Sequence, residues 1–277
     1  MCGITACVGD DDVVGVLLAG LENLEYRGYD SSGVAVGDGE ELAVVKREGE
    51  IAELADALDG NAPGGHVGVG HTRWSTHGPP TDANAHPHVD CTGRVAVVHN
   101  GIIENHADLR ASLEERGHTF ASETDTEVIP HLIEERLAAG DDPGVAFRRA
   151  VDDLEGSFAV VVVLAGRETL YATRRGSPLV LGVDDDRHFL ASDVPSFLEY
   201  TDRVVHVEDG DIVTVTADAY TVVDEDGDAV ERPVETVDWG AEDAALNGYD
   251  HYMLKEIHEQ PAALDRSLQG RIVDGDV

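Results

Sequence analysis

Positive charge is scarce in this 277-residue chain. Lys46 and Lys255 are its only lysines, and basic residues number 19 in all against 56 acidic ones, a formal net charge of −37. So few cations leave no basic patch to neutralise phosphates, which excludes nucleic acid as a partner. The acids are spread along the chain, in runs such as 10–12 and 184–186, and read as a solvated surface rather than an interaction tail. Such a surface repels itself at low ionic strength and is screened by salt, so a halophilic habitat is expected. Cysteine is scarce too: Cys2, Cys7 and Cys91 are an odd number without metal-ligand spacing. That excludes a disulfide framework and points to a reducing compartment, with Cys7 and Cys91 read as small core residues. Long apolar runs are missing, and the first twenty residues lack the basic start and cleavage site of a signal peptide, so neither membrane nor export is indicated and a cytoplasmic protein is expected. Aromatics are only 5% of the chain, yet 42% hydrophobic content over this length fills a core for one large domain or two small ones.

What is present is an alternation of short apolar runs with a few helical patterns. Residues 4–9 read as a strand, and Val14, Leu17, Leu18, Leu21 and Leu24 recur at helical spacing. "SGVAVG" and "ELAVVKR" read as a strand pair turned at Gly37-Asp38-Gly39, with further strands in "HVGVGHTR", "RVAVVHNG" and 158–164. Helices are predicted over 105–116, over 125–139 and in "FRRAVDDL", followed by short strands near Leu170, Val180, Phe189, Val205, Val213 and Val222. Two β-rich layers with helices outside bury these runs, an α+β fold. After about Val237 strand character ends, and a helix that Pro261 interrupts or restarts reads as a connector.

The chemistry starts at position 2. Removal of the initiator methionine exposes Cys2 as residue one, with a free α-amine beside its thiol. The amine has a reference pKa of roughly 7.7 to 8.0 and the thiol about 8.5, so the amine can serve as base toward the thiol without a histidine. The plain alternative is that Cys2 merely opens a buried strand. Four further stretches bear on the choice. "LEYRGYDSSG" is a Gly-rich helix exit. "GHTRWSTHGPPTDANAHPH" gathers Arg73, Trp74, Thr76 and His77 at a strand exit, as a substrate-binding loop on a rigid sheet does. In "VVHNGIIEN", Asn100-Gly101 reads first as a hairpin turn, and second as an amide and a backbone N–H aimed at one developing oxyanion. In "SETDTEVI", Ser122 or Thr124 can cap a helix whose first turn holds Asp125 and Glu127, and a carboxylate there can also hold an ammonium.

In this order and spacing, Cys2, Arg27-Gly28, the Arg73 loop, Asn100-Gly101 and Asp125 make the chain resemble the N-terminal-nucleophile glutamine amidotransferases over essentially its whole length. The resemblance implies a four-layer αββα sandwich of two mainly antiparallel sheets over residues 2–237. It also implies a connector over 238–277 toward a sugar isomerase domain absent from this chain. By the same likeness Cys2 attacks the amide of L-glutamine, Asn100 and Gly101 hold the oxyanion, and Arg73 and Asp125 take the carboxylate and ammonium. Thr76, His77 and Gly78 complete the pocket, Trp74 gates ammonia, and Arg27 positions Cys2. "YRGYDSSG", "HTRWSTHG" and "NAHPH" are the forms of the branch that delivers ammonia to fructose 6-phosphate, as an intact homodimer. An Arg-Gly-Gln run and Tyr in place of Trp74 would mark the amidophosphoribosyltransferase branch instead. Ser75 departs from the usual alanine. No cofactor is expected, and no metal, because His71, His77, His86, His88 and His99 show no HExxH arrangement. The alternatives are another acceptor for the same domain, or an inactive glutamine-binding module.

Overall fold

The computed structural model describes residues 2–238 and, beyond them, Leu254, Ile257, His258, Gln260, Pro261 and Leu264, all helical. The connector expected over 238–277 otherwise lies outside the described residues. Residues up to Asp238 form one compact unit.

Its elements follow in order: β1 Gly3–Val8, α1 Val13–Glu22, β2 Ser31–Asp38, β3 Glu41–Glu48, α2 Ile51–Leu58, β4 Val67–Arg73, β5 His88–Val89 and β6 Val95–Ile103. Three helices come next, α3 His106–Glu115, α4 Val128–Ala138 and α5 Pro143–Asp152. The remaining strands are β7 Gly156–Leu164, β8 Leu170–Arg175, β9 Val180–Val183, β10 His188–Ala191, β11 Arg203–His206, β12 Ile212–Val215, β13 Tyr220–Val223, β14 Ala229–Val230 and β15 Glu235–Thr236. They build an eight-stranded sheet in the order β15-β11-β9-β10-β1-β4-β2-β3 and a seven-stranded sheet in the order β14-β13-β12-β8-β7-β6-β5.

Strand alternation explains the layering. Ile4, Ala6 and Val8 of β1 and Val67 and Val69 of β4 face Ala96 and Val98 of β6 and Ala159, Val161 and Val163 of β7, forming a core between the sheets. Residues of the opposite alternation face outward: Cys7 of β1 and Val34 and Val36 of β2 pack on Leu17 and Leu21 of α1 and Leu54 of α2. On the far side Val95, Val97, Val160 and Val162 pack on Leu113, Ile129, Ile133 and Phe147 of α3 to α5. Helices, sheet, sheet and helices make the αββα sandwich expected from the resemblance.

Several local expectations move. The β2–β3 turn falls at Gly39-Glu40, one residue past the expected Gly37-Asp38-Gly39, because Gly37 already pairs with Leu42. Helix α4 begins only at Val128, with no side-chain cap on its first turn. The polar residues before it are spent elsewhere: Glu127 accepts from the N–H groups of Ala121 and Ser122, both at 2.7 Å. Cys7 is buried as expected, but Cys91 is exposed rather than a core residue.

Candidate active site

Strand β1 lies in the middle of its sheet, and Gly3 pairs with Thr72 of β4. Cys2 is thereby fixed beside the chain leaving β4. The Trp74 N–H donates to Cys2 Sγ at 3.3 Å, and the thiol can donate to the Trp74 carbonyl at 3.5 Å. Burial pushes the thiol pKa up, against the opposing pull of the Trp74 N–H, the chain's amino terminus and Arg73. A thiol held neutral in this way needs a base close by to become a nucleophile.

Asn100 continues the inward-facing series Ala96, Val98 and arrives opposite Cys2. Its Nδ2 donates to the Cys2 carbonyl at 3.0 Å. Since that carbonyl can only accept, the amide oxygen must face the other way, 3.0 Å from Nε2 of His71. The same Nε2 stands 3.0 Å from the His99 carbonyl, so it carries the ring proton. Burial lowers the His71 pKa to about 3, which keeps the ring neutral. His71 is thus a fixed donor that sets which end of Asn100 meets the nucleophile. The next residue, Gly101, has φ +123°, and a Cβ on it would stand 2.0 Å from the Ser157 carbonyl oxygen. Asn100 and Gly101 pair with Ala159 and Phe158 inside β6, so the hairpin-turn reading fails and a continuous strand takes its place.

One cleft is lined by Cys2, Arg73, Trp74, Thr76, His77, Gly101 and Asp125, together with Thr124, Thr126, His86 and His99. The Arg73 guanidinium donates to the carbonyls of His77, Gly78 (3.3 Å) and Pro79 (3.2 Å), which curls the loop around it. Gly78 therefore enters the site through its carbonyl. Asp30 ties the base of the loop, accepting from the Ser75 N–H at 2.7 Å. Asp125 accepts from the Ile103 N–H at 2.8 Å and supplies the negative end of the cleft. Thr76 Oγ1 lies 3.2 Å from His77 Nδ1. The Trp74 ring is 46% exposed and stands edge-on to Tyr29, with ring centres 5.7 Å apart.

A second cleft of about 240 Å³ shares Cys2, Trp74, Thr76 and Gly101 with the first and is lined also by Arg27, Asn100, Ile102, Ser177 and Pro178. Arg27 is pinned there by Asp193, at 2.6 Å. The Tyr26 hydroxyl donates to the same Asp193 oxygen at 2.6 Å. Gly28 follows because a Cβ there would meet the Arg73 carbonyl carbon at 2.7 Å. Every expected site residue thus reaches Cys2, Arg73 or one of the two clefts. Asp30, Asp193 and Tyr26 were not singled out, and His71 was weighed only as a metal ligand and set aside. His71 had a readable signal: it continues the inward series 67, 69, 71, 73 of β4 past the apolar residues. Asp193 reads in sequence only as the cap of the turn 194–196, whose Val194 N–H its Oδ1 accepts at 2.9 Å, and nothing local points to its second bond, to Arg27.

A family profile described as a glutamine amidotransferase domain matches residues 71–199, the stretch holding Arg73, Asn100, Gly101 and Asp125. Over 98% of its length the chain is 50% identical to the glutamine--fructose-6-phosphate aminotransferase [isomerizing] of Thermococcus kodakarensis. The chain belongs to the glutamine amidotransferases. The protein of the same description from Halobacterium salinarum is 50% identical over 99% of this chain. The chain spans about 45% of the length of both relatives. Among solved structures, the glutamine phosphoribosylpyrophosphate amidotransferase of B. subtilis superposes with TM-score 0.67 at 24% identity, over 85% of this chain and 49% of its own. A glutamine aminotransferase class-II domain protein from Silicibacter pomeroyi gives 0.54 at 19%, over 80% of this chain and 99% of its own. These likenesses establish the sandwich fold of a class II amidotransferase.

Proposed function

We propose that residues 2–237 hydrolyse L-glutamine to glutamate and ammonia. After removal of Met1, the Cys2 α-amine takes the thiol proton and the sulfur attacks the side-chain amide carbon. Asn100 has a second amide hydrogen beyond the one bound to the Cys2 carbonyl, and with the Gly101 N–H it holds the oxyanion. The proton passes to the leaving nitrogen, ammonia departs, and water hydrolyses the thioester to release glutamate. Arg73 and Asp125 receive the two charges of the zwitterionic amino acid, and Thr76, His77 and Gly78 shape its pocket. The observation that carries this reading is the convergence of the Cys2 thiol and Gly101 with the opposite charges of Arg73 and Asp125 on one cleft.

In the complete protein the ammonia converts fructose 6-phosphate to glucosamine 6-phosphate, Trp74 gates its passage, and 238–277 connects to the acceptor domain. A homodimer in the cytoplasm of a salt-adapted cell completes the proposal. Half-identity to fructose-6-phosphate aminotransferases supports this acceptor, whereas phosphoribosyl pyrophosphate has only the shared fold behind it. The test is glutamate release from glutamine by the chain folded in molar KCl. Turnover lost in Cys2→Ala with glutamine binding retained is the expected result. No release from a Met1-processed sample would leave only a glutamine-binding module.

A further inference from the structure

Away from Cys2, four side chains from three separate segments converge on one point. Cys91 follows β5, His118 follows α3, and His131 and Glu134 stand three residues apart on α4. Their ligand-type atoms lie within 4.8 Å of one another, and they are the one such group among the described residues. Cys91 Sγ is 3.6 Å from Nδ1 of His118 and 3.6 Å from Nδ1 of His131. Glu134 Oε2 is 3.1 Å from the first nitrogen and 3.3 Å from the second. Typical zinc–ligand bonds give a tetrahedron with edges of about 3.3 to 3.6 Å, and four of the six edges here fall near that range.

We propose that Cys91, His118, His131 and Glu134 form a structural zinc site. Hydrogen bonding alone serves the group poorly. Glu134 Oε2 already takes the Cys91 N–H at 3.2 Å, and both imidazole Nδ1 atoms crowd the same oxygen while also facing the sulfur. A cation at the centre satisfies all four at once. Zinc suits the mixed thiolate, imidazole and carboxylate set, and a thiolate and a carboxylate cancel its double charge. On binding, the Cys91 thiol gives its proton to solvent and both histidines coordinate as neutral rings through Nδ1.

The surroundings match those of a metal centre. The Thr119 N–H donates to Cys91 Sγ at 3.5 Å, which stabilises a thiolate. His118 Nε2 faces Glu135 Oε1 at 3.4 Å, the carboxylate–histidine–metal relay that orients a ligand ring. His131 is buried and anchors the site, while exposed Cys91 leaves an entry path. The site ties the turn after β5 and the end of α3 to α4, whose His131 stands 3.9 Å from Glu127, two residues past Asp125. Sequence spacing hid it, because no two ligands outside α4 are close along the chain.

The test uses the full 277-residue chain in molar KCl, stripped with chelator and titrated with Co²⁺. Expected are saturation at one equivalent, the intense visible bands of four-coordinate cobalt, a near-ultraviolet thiolate-to-cobalt band, and displacement by Zn²⁺. Cys91→Ser should abolish the thiolate band although Cys2 and Cys7 remain, and Glu134→Gln should weaken binding at least tenfold. Should Cys91→Ser fail to fold, His118→Ala should shift the visible bands and weaken binding to the same degree. Weak, unsaturable binding, octahedral spectra, or a thiolate band surviving in Cys91→Ser would overturn the proposal.

Discussion

Acidification from pH 7.5 to 5.5 should destabilise the folded chain through the buried histidines around Asn100. Burial holds His71 at about 3 in the folded state, against an ordinary 6.5 in the unfolded chain. The unfolded state therefore binds more protons between those values. Stability is full above pH 6.5 and is lost as pH falls toward 3. Between pH 7.5 and 5.5 His71 alone removes about 1.4 kcal/mol, a figure that holds for any folded pKa well below 5.5. His86, His88 and His99 are lowered as well, each chiefly by burial, and act in the same direction. Against a typical total of roughly 5–15 kcal/mol this is a large loss. The assay is urea unfolding at both pH values in constant molar KCl, with chelator present so that metal release does not contribute. A midpoint that is unchanged or higher at pH 5.5 would refute the reasoning, as would a His71 ring that titrates near 6.5 by NMR in the folded protein.

Asn100→Ala should lower kcat for glutamine hydrolysis by about 10²- to 10³-fold with a smaller change in KM, as expected on losing one oxyanion donor; steady-state glutamate release decides it. Gly101→Ala should lower the melting temperature by several degrees, since a left-handed φ and a 2.0 Å clash together cost about 1–3 kcal/mol or more. Asp193→Ala should leave the buried Arg27 without its carboxylate, with only the Tyr26 hydroxyl still accepting from Nε at 3.2 Å, destabilising by about 1–3 kcal/mol, less than for a wholly buried pair because Asp193 is one-third open; urea midpoints test it. With a net charge of −37, the melting temperature should rise steeply from low to molar KCl, and a flat salt dependence would remove the argument for halophilic adaptation.

The sandwich was legible where alternation was clean. The nine residues of β7 and the helical spacing of α1 both fall close to where their patterns put them. Helix α2 escaped because it has only eight residues and no side-chain cap at its start. Strand β5 escaped because its two residues, His88 and Val89, carry no periodicity. Asn100-Gly101 shows the limit of local rules. The dipeptide favours a hairpin turn, but nine-residue pairing with β7 overrides that preference and leaves the glycine as a positive-φ position within the strand, beside the Ser157 carbonyl. The same holds for Asp125, whose suitability for a helix start is displaced by its bond to the Ile103 N–H. The order of motifs along the chain brought the chemistry-bearing residues into view; of the groups that orient them, His71, Tyr26 and Asp30 sit inside those same motifs, but their roles, and that of Asp193, emerged only from their partners in three dimensions.

The central claim is that sulfur and base belong to a single residue at the start of the mature chain. The most direct measurement is the intact mass and N-terminal sequence of a preparation whose glutamine hydrolysis has been titrated per active site. Loss of Met1 and an unblocked Cys2 in the active fraction is the result the account predicts. Full activity in molecules that keep Met1, or whose terminal amine is blocked, would contradict it.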